Sequence, residues 1–277
     1  MQRRIGVMQG RLSPMRENRI QSFPWDNWRN EFSDLEIMSV SLLEWTLDSE
    51  NIHLNPLLIE SGVNEINELK EIFGIRIESV TCDFFMENPP WANTENSNFL
   101  IEILNRILEI GIKAGVRKLV IPLVDNSRID TFDEFESVLT TITSTNYLAK
   151  DVRFLFETDM APRTFMKLLN STDATYFGVN LDIGNSASYG WLPDEEVEVF
   201  GARIGNVHVK DRLFGGSTVP LGEGCANFRA YLQSLSNVGY EGAFILQTAR
   251  STTNQHHDEL RRNLDYFSRQ WELVSKS

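Results

Sequence analysis

The sequence contains only two cysteines, Cys82 and Cys225, which lie far apart in a chain of 277 residues. This scarcity excludes a disulfide scaffold and a thiolate metal cluster, and it is typical of a protein in a reducing cytoplasm. The longest apolar run, 119–124, falls far short of the roughly 18 residues that a membrane span needs. The start of the chain also lacks the apolar stretch of a signal peptide. We therefore expect a cytoplasmic protein with no membrane partner.

Positive charge is also scarce, because 26 Lys and Arg residues face 39 Asp and Glu residues and leave a formal net charge of −13. A surface of this sign repels nucleic acid and anionic lipid at long range, so we expect neither as a partner. Glycine, proline and serine nowhere cluster into a linker, and the content of 42% hydrophobic and 23% charged residues is typical of a globular domain. We expect residues 1–277 to form a single domain.

Short apolar segments recur along the chain and alternate with polar loops and amphipathic stretches. Their β-branched and aromatic side chains are typical of parallel strands that are buried on both faces. The eight predicted strands span 5–9, 42–45, 77–83, 118–123, 153–157, 177–182, 205–209 and 242–246. Eight strand–helix units in a chain of this length favour a closed (β/α)₈ barrel, a TIM barrel, over an open doubly wound sheet.

Between the predicted strands, apolar residues recur with the period of an α-helix. One stripe runs through 100–108, another through 260–271, and a third begins at Trp28. Gly115 follows the first stripe where a glycine would end a helix. The segment 184–201 has the weakest periodicity, so its helix is the least well defined by the sequence.

Four consecutive predicted strands lead into side chains that can bind a metal ion: Glu157, Asp182, His208 and Gln247. In a (β/α)₈ barrel the C-terminal ends of the strands surround one mouth, and neighbouring strands lie about 4.8 Å apart. Taken singly, each acid could cap a helix or join an ion pair, and the histidine could fill the core. Taken together, the four predict one divalent ion, and this thiolate-free set suits Mn²⁺, Mg²⁺, Co²⁺ or Zn²⁺.

A second polar concentration follows the seventh predicted strand. It contains Lys210 and Arg212, then Gly215 and Gly216, and then the turn Pro-Leu-Gly-Glu-Gly at 220–224. Two cations beside backbone N–H groups that glycines leave accessible can hold a phosphate or sugar hydroxyls, with arginine as a bidentate donor. The alternative is a solvated surface turn. Because the preceding strand carries His208, we favour substrate binding by Lys210 and Arg212.

These residues carry a resemblance to a known family. The most specific portion is Asn-Val-His-Val-Lys-Asp-Arg at 206–212 with the Pro-Leu-Gly-Glu-Gly turn after it, and Asp-Ile-Gly-Asn at 182–185 and Glu157 add to it. Over essentially its whole length the chain resembles the xylose isomerase-like TIM barrels. That superfamily holds sugar-phosphate isomerases and epimerases as well as apurinic endonucleases.

The resemblance implies that Glu157, Asp182 and His208 bind a divalent metal, with a fourth ligand from the eighth strand. The family usually has a glutamate there, whereas this chain has Gln247, whose carbonyl oxygen can bind a metal but whose amide cannot act as a base. Asn185 stands where several relatives place a histidine that contacts the substrate. We therefore expect Asn185 to take part in substrate binding.

The resemblance implies a metal-dependent isomerase or epimerase acting on a sugar or sugar phosphate through an enediolate, with Glu157 as the leading proton carrier. A lyase or dehydratase acting on a related sugar, and a sugar-binding relative without catalysis, are alternatives. A DNA-repair endonuclease is less well supported, because the chain is acidic and has only 4 histidines. Gln247 cannot act as a base, and a structural role explains Asp83, the best placed substitute, at least as well as an acid–base role does. We therefore slightly favour aldose–ketose isomerisation, or another single-base reaction, over C3 epimerisation. The sequence leaves open whether the chain forms a homo-oligomer.

Overall fold

The computed structural model describes residues 4–17 and 19–275, which form a closed barrel of eight parallel strands surrounded by helices. The barrel strands are β1 (Ile5–Met8), β2 (Leu43–Leu47), β3 (Ser79–Cys82), β4 (Lys118–Leu123), β5 (Arg153–Thr158), β6 (Phe177–Asp182), β7 (Ile204–Val209) and β10 (Phe244–Leu246). Their order around the barrel is β1-β10-β7-β6-β5-β4-β3-β2, so the predicted (β/α)₈ fold is confirmed.

The helices follow the strands in sequence and cover the outside of the barrel. They are α1 (Asn30–Ile37), α2 (Glu60–Phe73), α3 (Phe84–Glu87), α4 (Thr94–Glu109), α5 (Phe132–Thr143), α6 (Pro162–Leu169), α7 (Ile183–Tyr189), α8 (Pro193–Phe200), α9 (Phe228–Asn237) and α10 (His256–Ser275). A two-stranded antiparallel hairpin, β8 (Asp211–Arg212) with β9 (Thr218–Val219), lies outside the barrel. None of the helices within the described ranges has the length and apolar character needed to cross a membrane.

The core follows the apolar pattern of the sequence. The stripe predicted over 100–108 is the buried face of α4, and its five apolar residues are all inaccessible to solvent. On the strands, the Phe156 and Phe177 rings stack with centroids 6.0 Å apart and nearly parallel planes. Such a core makes the barrel a rigid support, on which the loops at one end can position polar side chains.

Local differences from the predicted elements have local causes. The third strand is shorter than predicted and begins at Ser79. Ile77 is apolar because it is buried, but it precedes the hydrogen-bonded ladder of the strand. Trp28 is buried too, although α1 begins only at Asn30. Gly115 has a positive φ of 102°, as a terminating glycine should, but it ends a short 3₁₀ turn that follows α4.

The segment with weak periodicity contains two short helices instead of one. Gly190 ends α7 with a φ of 77°, and Pro193 occupies the first turn of α8. Neither helix is long enough to produce a clear apolar repeat. At the start of α7, the side chain of Asp182 accepts a hydrogen bond of 2.8 Å from the backbone N–H of Asn185. This cap fixes both residues at the end of β6.

Glu196 provides a test of the fold through its pH dependence. Its buried carboxyl group on α8 accepts 2.8 Å hydrogen bonds from the hydroxyls of Ser186 and Tyr231. Burial raises the pKa of Glu196 from 4.5 to about 7, which favours the neutral acid in the folded state. The stabilising contribution of Glu196 is therefore complete below pH 4.5 and is lost as pH rises through about 7. The free energy of unfolding should fall by about 3 kcal/mol over this interval through Glu196 alone.

We expect Glu196→Gln to reduce the fall in the free energy of unfolding between pH 5 and pH 8, as measured by denaturant titration. Glu31 and Asp83 also have pKa values raised to about 7 by burial, so part of the fall should remain in the variant. Glu195→Gln is the control, because the carboxylate of Glu195 is exposed to solvent in the folded protein as well as in the unfolded chain. This variant should keep the pH dependence of the wild type. An unchanged pH dependence in Glu196→Gln would contradict this assignment.

Candidate active site

A polar cavity of about 360 Å³ opens at the C-terminal ends of the barrel strands. It lies where the loops of a (β/α)₈ barrel converge and where substrates of such enzymes bind. Side chains from β5, from the end of β3 and from the loops after β6, β7 and β10 line it, among them Glu157, Asp83, Asn185, Lys210 and Gln247. Of the predicted site residues, Glu157, Asn185, Lys210, Arg212 and Gln247 therefore line one cavity. Asp182 and His208 do not belong to this lining and lie buried beside Glu157.

Glu157 lies near the end of β5 and is held by amide and imidazole groups. Its Oε2 accepts a 2.8 Å hydrogen bond from Asn180 and lies 3.0 Å from Nδ1 of His208, and its Oε1 accepts a 2.9 Å bond from Asn185. Burial opposes ionisation of Glu157, but the adjacent His208 and the charge of Lys210 outweigh it and hold the pKa below its ordinary value. Glu157 is therefore a carboxylate at neutral pH.

His208 lies between two carboxylates inside the barrel. Its Nε2 is 2.7 Å from Oε1 of Glu44 on β2, and both side chains are fully buried. Burial alone would lower the pKa of His208, but the charges of Glu44 and Glu157 raise it to about 10. Glu44 also accepts hydrogen bonds of 2.6 Å from Ser79 and 2.9 Å from Asn206. The carboxylate of Glu44 thus fixes the histidine ring from the side opposite Glu157.

Asp182 and Lys210 form the next pair along the wall. Asp182 on β6 is in register with His208 on β7, and its Oδ2 lies 2.7 Å from Nζ of Lys210. The backbone after β7 packs closely on α7, since a Cβ at Gly184 would lie 2.8 Å from the Lys210 side chain. A glycine at 184 therefore allows Lys210 to reach Asp182.

A divalent metal fits this arrangement. Ligand atoms of Glu157, Asp182 and His208 all lie within 4.8 Å of one another. Oε1 of Gln247, which lines the same cavity as Glu157, is buried and has no hydrogen-bond partner among the described residues. A buried polar atom without a partner is costly in free energy, so its place beside the cavity indicates a ligand. Glu44 would be the outer carboxylate that orients a metal-binding histidine.

Arg212 is linked to Glu157 through Asn185. Its Nη1 donates a 2.9 Å hydrogen bond to Oδ1 of Asn185, whose amide nitrogen donates in turn to Glu157. The other nitrogens of Arg212 donate to the carbonyl of Gly216 within the hairpin. Arg212 and Asn185 both line the cavity, and they also connect the β8–β9 hairpin to the carboxylate of Glu157.

The Pro-Leu-Gly-Glu-Gly turn is held by Asp211. One carboxylate oxygen of Asp211 accepts hydrogen bonds from the backbone N–H groups of Gly222 and Gly224, and the other accepts one from Ala226. A Cβ at Gly224 would lie 2.2 Å from Oδ1 of Asp211, so only glycine fits there. This turn supports the loop that carries Arg212.

Sequence reasoning missed Glu44, Asn180 and Asn206. Asn206 donates 2.9 Å hydrogen bonds to both Glu44 and Asn180, which joins Glu44 to Glu157 through buried amides. The available signal was Glu44 itself, a charged residue within the otherwise apolar start of β2. A carboxylate in a fully buried strand requires partners, and these could have been sought on the strands that face it.

The family model of the xylose isomerase-like TIM barrels matches residues 39–270, and the chain belongs to this family. Among individual relatives, a Haemophilus influenzae protein provisionally named L-ribulose-5-phosphate 3-epimerase SgbU is 23% identical, over 75% of this chain and 74% of the relative.

Solved structures share the fold at low sequence identity. D-psicose 3-epimerase from Clostridium cellulolyticum H10, solved with D-tagatose, has a TM-score of 0.72 and 14% identity and covers 97% of this chain and 99% of its own. The IolI protein with a bound zinc atom has a TM-score of 0.68 and 15% identity and covers 90% of this chain and 93% of its own. These likenesses establish the same barrel.

Proposed function

We propose that the protein is a divalent-metal-dependent isomerase or epimerase acting on a ketose or ketose phosphate. The observation that carries this proposal is Glu157, an ionised carboxylate that three side chains hold at the wall of a polar cavity, beside a cluster suited to a metal. Family membership and the relative named as a sugar-phosphate epimerase support the choice of substrate class.

Glu157 would remove a proton from the carbon next to the sugar carbonyl. Because its pKa lies below the ordinary value, Glu157 is ionised throughout the neutral range, which is the state that a general base requires. Asn180 and Asn185 hold its two oxygens in fixed directions, which reduces the reorganisation needed for proton transfer.

Glu157, Asp182, His208 and Gln247 would hold the metal ion. When bound, a divalent ion supplies Lewis acidity that polarises a carbonyl oxygen and stabilises negative charge on it. The carboxylate, imidazole and amide ligands suit Mn²⁺, Mg²⁺, Co²⁺ and Zn²⁺, and the proposal includes all four ions.

Asn185, Lys210 and Arg212 would bind the substrate. All three line the cavity, and they present amide, ammonium and guanidinium donors to its interior. Sugar hydroxyls are recognised by such donors, and a phosphate would pair with the cations. Contacts of Arg212 and Lys210 with Asn185 and Asp182 would keep these donors in position before the sugar arrives.

The proposal is tested with a panel of ketoses and ketose 5-phosphates in deuterated water. We expect metal-treated protein to incorporate deuterium at the carbon next to the carbonyl, as detected by NMR, and a chelator to abolish the incorporation. Re-addition of Mn²⁺, Co²⁺, Mg²⁺ or Zn²⁺ should restore it and identify the preferred ion.

Other products would contradict the proposal in informative ways. Loss of water or cleavage of a carbon–carbon bond would identify a dehydratase or lyase. Ketose binding without deuterium exchange, in protein shown to contain metal, would identify a sugar-binding protein without catalysis.

A further inference from the structure

Asp83 is a buried carboxyl group that the proposed reaction does not yet use. It follows β3, is only 7% exposed and lines the same cavity as Glu157. Its Oδ1 accepts a 3.0 Å hydrogen bond from Thr81, whereas its Oδ2 is buried and has no hydrogen-bond partner among the described residues. A buried carboxylate oxygen without a partner carries a desolvation cost, and beside a cavity it indicates a group that meets a ligand.

Asp83 and Glu157 lie at the same end of the barrel, two strands apart. Asp83 directly follows Cys82, the last residue of β3, Glu157 lies near the end of β5, and both line the cavity. With β4 between them, the two backbones are about 10 Å apart. Two carboxyl groups that reach inward from this separation leave room for one sugar carbon between them, since reacting atoms approach to about 3–3.5 Å.

We propose that Asp83 is the second acid–base group of this site and that the enzyme inverts a carbon next to the ketose carbonyl. This inference rests on the proposed function and specifies its reaction: Asp83 provides the proton on the face opposite Glu157. Gln247 cannot do so, because an amide neither accepts nor donates a proton at neutral pH.

The proton balance of the step is simple. The Glu157 carboxylate takes the proton from the carbon, and the electron pair of the broken C–H bond moves into the enediolate. Asp83, as the acid, then delivers its proton to the other face of the same carbon, the new C–H bond forms and the carbonyl is restored. Glu157 is left protonated and Asp83 ionised, and proton exchange with solvent resets both groups.

The electrostatics of Asp83 agree with its role as an acid. Burial raises the pKa of Asp83 to about 7, and the nearby negative charges of Glu157 and Asp48 add to this. A carboxyl group in these surroundings is partly protonated at neutral pH and can deliver a proton.

The test follows stereochemistry and exchange in parallel. Wild-type enzyme loaded with metal should convert a ketose or ketose phosphate in deuterated water into a product that is inverted and deuterated at the same carbon. Asp83→Asn should lower the rate of inversion by about 10²-fold or more. Deuterium exchange with retained configuration should continue in this variant, because it needs Glu157 alone.

Asp48→Asn is the matched control. Asp48 is also a buried carboxyl group, and one of its oxygens has no hydrogen-bond partner within 4–17 and 19–275. It is absent from the cavity lining, and its other oxygen accepts a hydrogen bond from the backbone of Phe23. This variant should keep inversion and exchange within a few-fold. If Asp83→Asn folds poorly, the test uses Asp83→Ala with added formate, which can take the place of the missing carboxyl group. Restoration of inversion by formate would support the proposal.

The remaining outcomes overturn it. Inversion at the wild-type rate in Asp83→Asn would show that Asp83 is structural. Wild-type exchange that leads only to aldose–ketose isomerisation would refute the two-base reaction while leaving the proposed function standing. Absence of exchange with every ketose in metal-loaded wild-type protein would overturn both.

Discussion

Replacement of Glu157 by Gln should lower kcat by about three orders of magnitude, the middle of the range for the loss of a general base. The amide keeps the shape of the side chain but cannot accept a proton, and its NH₂ group would face the donors Asn180 or Asn185. Deuterium exchange at the substrate carbon should fall in parallel, because proton removal is the step affected.

The assay needs saturating metal, because Glu157 is also a proposed ligand. Steady-state kinetics at several metal concentrations separate weaker metal binding, which excess metal overcomes, from loss of the base, which it does not. Glu196→Gln is the control, as a buried carboxyl group outside the cavity that should keep kcat within a few-fold. A kcat for Glu157→Gln within tenfold of wild type would assign the base to another residue.

Of the variants proposed for this protein, Glu44→Gln should lower the free energy of unfolding most. Its carboxylate is 0% exposed and accepts hydrogen bonds from Ser79 and Asn206 besides its contact with His208. Breaking a buried ion pair at one partner costs about 3–5 kcal/mol, and in a chain of this size that corresponds to a decrease in Tm of about 10 °C. Differential scanning calorimetry of metal-free protein measures the effect directly.

The same change should weaken metal binding by about 10–100-fold, since the carboxylate behind a metal-binding histidine sets its orientation and proton position. Isothermal titration with the metal alone tests this. The surface pair of Glu65 with Arg29 offers a control, because Glu65→Gln removes an exposed ion pair worth less than about 1 kcal/mol. Equal Tm values for both variants would show that the Glu44–His208 contact contributes little.

The strands could be predicted well because burial on both faces gives them a simple pattern. The predicted bounds 118–123 and 177–182 coincide with β4 and β6, and 205–209 differs from β7 only at Ile204. The strand ends also locate the site, since the family of parallel barrels directs those ends into one mouth. Glu157, Asp182 and His208 therefore meet as their positions in the sequence predict.

Pairings that cross the barrel were beyond the reach of sequence patterns. Glu44 and His208 are separated by 164 positions, and nothing local relates them. The partners of Arg212 depend on how the β8–β9 hairpin folds over α7, where Gly215 N–H donates to the carbonyl of Ser188. Charge and spacing predict that Arg212 faces a polar group, but only tertiary structure determines that this group is Asn185.

The contact between Glu44 and His208 also bears on the order in which the chain folds. Glu44 leaves the ribosome long before His208, and the ring of strands closes only when β10 pairs with β1 and β7. Until His208 is in place the carboxylate of Glu44 lacks its counterion, and enclosing it alone would cost several kcal/mol. We therefore expect final compaction of the barrel interior to follow synthesis of the C-terminal strands, with the inner surface of the growing chain hydrated until then.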